Sequence, residues 1–242
     1  MSESLNHLLA ELHAERVRTW APAALKINID QRQRLVDEAR PDTFVKAGDS
    51  IAPFELLNVE GGTLSLDQLV ADGPAVLVFF RFAGCPACNI AIPYYERNLQ
   101  PALRQRGVPL VAISPQVPER LVEIKDKHSL SLQVASDKDN RLGQRLGILY
   151  SFDEASRQAS LAKGQGIGAI TGTGTWELPQ PTVVVIGRDR RVHFAEVSPD
   201  WLVRSEAHAI IGAVDAALDA DSQPARRQSM ITPNALYSTE RT

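Results

Sequence analysis

Sulfur is scarce in this chain: of 242 residues, two are cysteine and two are methionine. Two thiols cannot build the bridged framework of a small secreted scaffold. A chain of this length with 44% hydrophobic residues can form its core without one. No run of about 18 apolar residues occurs, so no membrane-spanning helix is expected. There is no basic block and the formal net charge is −3, so neither nucleic acid nor an anionic membrane is an expected partner. The histidines, at positions 7, 13, 128, 193 and 208, all lie at least 40 residues from the cysteines in sequence, and two cysteines alone leave zinc without a ligand set. The glycines of GQGIG are not followed by the Lys-Ser/Thr of a phosphate loop, which argues against a nucleotide. No cofactor is expected. The opening MSESLNHLLAELHAERV mixes polar and apolar residues at helical spacing and does not read as a secretory leader. The expected compartment is the reducing cytoplasm.

What is present is organised in three parts. Residues 1–46 read as a helical arm in two pieces, with Leu5, Leu8, Leu9 and Leu12 on one face and Pro22 at the break. Residues 47–220 alternate strand and helix patterns. PFELLNV-GG-TLSL reads as a hairpin turning at Gly61-Gly62, and AVLVFF and PLVAIS read as strands buried on both faces. IPYYERNLQPALRQRG reads as one long helix, and PTVVVIG-RDRR-VHFAEV as a late hairpin before a final amphipathic helix. Between them, 151–178 reads as a long glycine- and threonine-rich loop. Residues 221–242 read as a disordered tail. Strands alternating with helices imply an α/β fold with a partly parallel sheet.

Both cysteines lie in RFAGCPACN, between a buried strand and a helix. Inert core thiols and a metal site are the alternatives to a redox pair. The spacing and the strand–turn–helix setting favour the redox pair. Pro86 suits a first helical turn, so the Cys85 sulfur is expected at a helix N-terminus, facing unpaired amides that hold it as thiolate. Arg81 is a candidate source of further positive charge. Cys88, one turn deeper and less acidic, is expected to resolve what Cys85 attacks. Pro181-Thr182 opens a strand; the isomer of the Gln180–Pro181 bond stays open between a cis bond, which suits pairing with an extended partner chain, and an ordinary trans proline that starts a strand.

AGDSIAPFELLNVEGGTLSLDQL, AVLVFFRFAGCPACN, PLVAISPQ and LPQPTVVVIGRDRRVHFAEVSPDW occur in the order expected of the alkyl hydroperoxide reductase/thiol-specific antioxidant family. The chain resembles its peroxiredoxin-like CPxC branch. That resemblance implies a thioredoxin-like, peroxiredoxin-type fold with an extra N-terminal hairpin. It also implies a peroxidase acting on hydrogen peroxide or organic hydroperoxides, with Cys85 passing through a sulfenic acid and then a Cys85–Cys88 disulfide. Thioredoxin or a similar dithiol would be the reductant, and a homodimer is an expected assembly. Phe82 and Val78 stand where many relatives carry a hydroxyl and a proline, and the late strand does not start with an arginine. A protein dithiol–disulfide oxidoreductase is the runner-up, and a redox-sensing binding protein the third reading.

Overall fold

The structure is a computed structural model, and it describes residues 3–164 and 166–229, with side chains to 221. Helices α1 (Leu5–Thr19) and α2 (Pro22–Asp37) form the arm. Pro22 begins α2, where its missing N–H leaves no bond unmade. Leu5 and Leu9 are fully buried in the same core as the cysteines. Each such burial contributes about 1.5–3 kcal/mol, enough to hold the arm against the body.

A seven-stranded sheet forms the centre, in the order β2-β1-β5-β4-β3-β8-β9. Its strands are β1 (Glu55–Asn58), β2 (Thr63–Ser65), β3 (Ala75–Phe79), β4 (Leu110–Ser114), β5 (Gln133–Ser136), β8 (Thr182–Ile186) and β9 (Val192–Val197). β3, β4 and β5 are parallel and joined through helices, while β1–β2 and β8–β9 are antiparallel hairpins. Gly61 and Gly62 make the first turn with φ of +102° and +76°, a conformation that favours glycine. Helices α3 (Leu66–Leu69), α6 (Pro118–His128) and α7 (Arg141–Arg145) complete the βα units. This is the mixed α/β, thioredoxin-like arrangement the sequence implied.

Three expectations are corrected. The single long helix after the cysteines is two, α4 (Cys88–Asn98) and α5 (Gln100–Gln105), because Pro101 cannot donate the bond that would continue α4. The expected loop at 151–178 is mostly structured. β6 (Leu149–Ser151) pairs with β7 (Glu177–Pro179), and α8 (Glu154–Leu161) and α9 (Ile167–Thr171) lie between them. Its glycines serve packing: a Cβ on Gly168 would stand 2.6 Å from backbone atoms of Gly174 and Thr175. Finally, α10 (Ala207–Ser229) continues as helix past 221. The rest of the expected tail, 230–242, lies outside the described residues.

Candidate active site

β3 runs into the loop that carries the thiols. The loop is fastened to the end of β4: Ser114 Oγ donates to the Arg81 carbonyl at 3.1 Å, and Gln116 Oε1 accepts the Ala83 amide at 2.8 Å. The Cys85 amide donates to the Phe82 carbonyl, and the Cys85 carbonyl accepts the amides of Cys88 and Asn89. The Asn89 side chain bonds the Cys85 and Ala83 carbonyls. Helix α4 therefore starts at Cys88, and Pro86 stands exposed in the turn before it. The expectation of free helix-terminal amides aimed at the Cys85 sulfur is corrected. The Cys88 and Asn89 amides already serve the Cys85 carbonyl, and the recorded donor to Cys85 Sγ is a guanidinium.

That guanidinium belongs to Arg81, only 8% exposed, whose Nη1 lies 3.8 Å from Cys85 Sγ. Its Cζ lies 4.2 Å from the Trp201 ring centroid and within 6 Å of the Phe82, Tyr150 and Phe152 rings. These aromatic faces hold a cation without neutralising it. A second guanidinium reaches the other thiol: Arg204, 4% exposed, donates from Nη2 to Cys88 Sγ at 3.5 Å and from Nε to the Trp201 carbonyl. Among the described residues neither arginine has a carboxylate within ion-pair distance. A third, Arg16 of α1, is also buried without one and feels the charges of Cys85 and Arg81. Buried cations without partners cost several kcal/mol, so the site favours a negative charge on sulfur.

Both cysteines are reduced, buried and hydrogen-bonded to each other. Donating that hydrogen bond to Cys88, together with burial, pushes the Cys85 thiol well up. Burial opposes ionisation of Cys88 too, but the bond from Cys85 and the Arg204 guanidinium bring it well down. The two thiols are thus set apart in acidity, Cys85 pushed up and Cys88 brought down, the reverse of the order expected from the sequence. The cause is local: Cys85 donates its hydrogen bond to Cys88, and the closer arginine faces Cys88.

Pro181 and Thr182 sit at the start of β8, where Thr182 pairs with Phe79. They line a small cavity with Arg204. The Gln180–Pro181 bond, whose isomer the sequence left open, is trans, and no cis peptide bond occurs among the described residues. Arg204, Trp201, Tyr150, Asn89, Gln116 and Arg16 were not legible as site residues. Arg204 carries the one partial signal, a lone arginine in the apolar WLVR. It supplies, from the segment after β9, the charge that the start of the late strand lacks. Among the described residues no cluster of His, Cys, Asp and Glu could hold a metal, and no helix is long and apolar enough to cross a membrane.

The sequence model of the AhpC/TSA family matches residues 47–195. Peroxiredoxin Bcp of Escherichia coli is 30% identical over 105 residues, which span 43% of this chain and 65% of that protein. Peroxidoxin BcpB of Mycobacterium tuberculosis superposes with a TM-score of 0.55 at 22% identity, covering 71% of this chain and 97% of that one. The bacterioferritin comigratory protein of Xanthomonas campestris, studied for its alkyl peroxide reduction activity, superposes with a TM-score of 0.50 at 14% identity, covering 70% of this chain and 92% of that one.

Proposed function

The chain belongs to the AhpC/TSA family, and from that premise we propose that it is a thiol-dependent peroxidase in which Cys85 and Cys88 are the catalytic residues. One observation carries the reading: the two thiols lie beside two buried guanidinium groups, Arg81 at 3.8 Å from Cys85 Sγ and Arg204 at 3.5 Å from Cys88 Sγ, and neither has a carboxylate partner among the described residues. Cys88, as thiolate, takes the proton of Cys85 while the Cys85 sulfur attacks the terminal oxygen of the hydroperoxide. The O–O bond breaks, Cys85 becomes a sulfenic acid, and the departing alkoxide or hydroxide takes the proton back from Cys88. The Cys88 thiolate then attacks the sulfenic sulfur. A Cys85–Cys88 disulfide forms, and the displaced hydroxide leaves as water with a proton from solvent. Two electrons from an external thiol reductant, thioredoxin or a similar dithiol, return the pair to its starting state. Arg81 stabilises charge developing at Cys85, and Arg204 that on Cys88.

Burial supports this reading over a protein disulfide oxidoreductase. In the reduced pair, sulfurs on residues 1% and 0% exposed admit a small peroxide as oxidant more readily than the disulfide of a protein substrate; the external reductant meets the oxidised pair instead. Exposed Val17, Ile29 and Val36 on the arm are the support for a homodimer, checked by sedimentation. The main test is stopped-flow oxidation with stoichiometric peroxide. Wild type should lose two thiols per peroxide, and Cys88→Ser should stop at a sulfenic acid on Cys85 that dimedone traps. Oxidation no faster than that of free cysteine at matched thiolate concentration would refute the reading.

A further inference from the structure

A groove of about 410 Å³ lies between the arm and the β6–β7 insert and ends at Arg81. Trp20, Ile27, Phe152, Ala159 and Trp201 give it apolar walls. Its only charged lining residues are cations, Arg81 at the buried end and Lys163 at the exposed rim, where Nζ lies 5.3 Å from the Trp20 ring centroid. Two amides of α2 also line it: Gln31, 5% exposed, with Nε2 unpartnered, and Asn28 with Oδ1 unpartnered. Arg81 Nε is a third buried atom without a partner. Buried polar groups in folded proteins are normally satisfied, so one free donor and one free acceptor on neighbouring turns of a groove wall point to a ligand. A hydroperoxide alone needs neither amide nor the rim cation. The volume is in the range of small-molecule sites and too small for a folded partner.

We propose that this groove binds a low-molecular-weight anionic peptide thiol, of which glutathione is the type, as the reductant of the Cys85–Cys88 disulfide. The inference rests on the peroxidase reading in taking that disulfide as the state to be reset. A peptide link offers the acceptor and donor that Gln31 and Asn28 lack, and a carboxylate answers Lys163. Cys85 lies behind the groove's end, where Arg81 has Nη1 3.8 Å from its sulfur, and displacement of that guanidinium brings the bound thiolate to Cys85. It attacks the Cys85 sulfur, the disulfide bond breaks, and Cys88 leaves as a thiolate held by Arg204. A second peptide thiol, as its thiolate, attacks the peptide's sulfur in the mixed disulfide. It releases oxidised peptide, and Cys85 departs as the anion that takes up a proton. Two peptide thiols are oxidised and one protein disulfide is reduced. Much of the groove, Trp20, Ile27, Asn28 and Gln31, comes from outside residues 47–195, which the family model matches.

The test starts from protein oxidised by one equivalent of diamide, so it needs no peroxide. Recovery of thiols is followed with glutathione, glutathione diethyl ester and 2-mercaptoethanol at equal thiolate concentration. Glutathione should be faster than 2-mercaptoethanol by about tenfold or more, the sum of an ion pair and two amide hydrogen bonds. The ester should lose about two- to fivefold, and Lys163→Glu, an exposed change that leaves folding intact, should remove the difference between acid and ester. In Cys88→Ser the glutathione adduct should map to Cys85. Equal rates for glutathione and 2-mercaptoethanol, an acid-to-ester ratio unchanged in Lys163→Glu, or an adduct absent from Cys85 would each overturn the proposal. Failure of the peroxidase reading would show separately, as thiols that peroxide does not oxidise.

Discussion

The two faces of the central sheet use the same strands and behave as different materials. Ala75, Leu77 and Phe79 of β3, with Val111, Ile113, Val184 and Ile186, point into a cluster of hydrophobic side chains that includes Leu56, Leu66 and Ile148. The alternate residues, Val76, Val78 and Phe80 with Ala112, Val134, Val183 and Val185, point into a cluster that holds both cysteines, Tyr94, Tyr95 and Trp201. Period-two alternation sorts the strands cleanly between the two. The first face contains no sulfur. On the second, three guanidinium groups are buried beside the thiols or the arm, and Arg16, Arg81 and Arg204 each keep a nitrogen without a partner. One face holds the fold by burial; the other accepts electrostatic cost where sulfur is to carry charge.

The largest expected effect tests that division at its centre. Cys85→Ser should bring peroxide consumption to the uncatalysed background, measured by loss of peroxide with excess reductant. Next, Leu77→Ala on the hydrocarbon face should lower unfolding free energy by about 2–5 kcal/mol in urea titration, while the folded fraction keeps its rate of thiol oxidation. A matching loss of reactivity would break the contrast. Arg204→Met on the sulfur face should do the opposite, slowing oxidation by about tenfold or more with little loss of stability, because it removes an unpaired buried cation.

A subtler change concerns the hydrogen bond between the thiols. Cys88→Ser deletes the sulfur to which Cys85 donates and leaves both arginines in place. Alkylation of Cys85 should then extend to lower pH than a buried, hydrogen-bonded thiol allows. A profile that moved upward would show Cys85 to be the more acidic thiol of the pair. The smallest effect lies at the arm. Glu206 accepts from the amides of Leu5 and Asn6, from Ser4 and from the Tyr94 hydroxyl. Burial opposes ionisation of its carboxyl, yet these bonds bring it down to about 2 from an ordinary value of 4.5. A carboxyl lowered by folding stabilises above the unfolded value, and that contribution fades as pH falls from about 4.5 to about 2. Glu206→Gln should flatten stability against pH across that window in a series of urea titrations.

The sequence disclosed the hydrocarbon face almost entirely, because apolar periodicity is a local property and the strands obey it. The Gly61-Gly62 turn and the break at Pro22 were equally readable, since each follows from one residue's backbone freedom. The site was readable only where sequence neighbours make it: Cys85, Cys88 and Arg81 lie on one strand end and its turn. Arg204 and Arg16 reach the thiols from opposite ends of the chain, and nothing in their own neighbourhoods announces it. The reversed acidity of the thiols was hidden for the same reason. It depends on which thiol donates to the other and on which arginine arrives closer. The insert misled because glycine and threonine there signal tight packing, through Gly168 and the hydroxyls of Thr171 and Thr173, rather than looseness.

The clasp between Glu206 and the start of α1 joins residues about 200 positions apart. A chain made from its N-terminus has the arm long before it has the carboxylate that seats it. While translation is under way, the nascent polypeptide carries Cys85 and Cys88 without their roof or the Arg204 counter-ion. The finished setting of the thiols would thus wait for residue 206 to be made and seated, and premature termination upstream of it would release fragments whose sulfurs are bare.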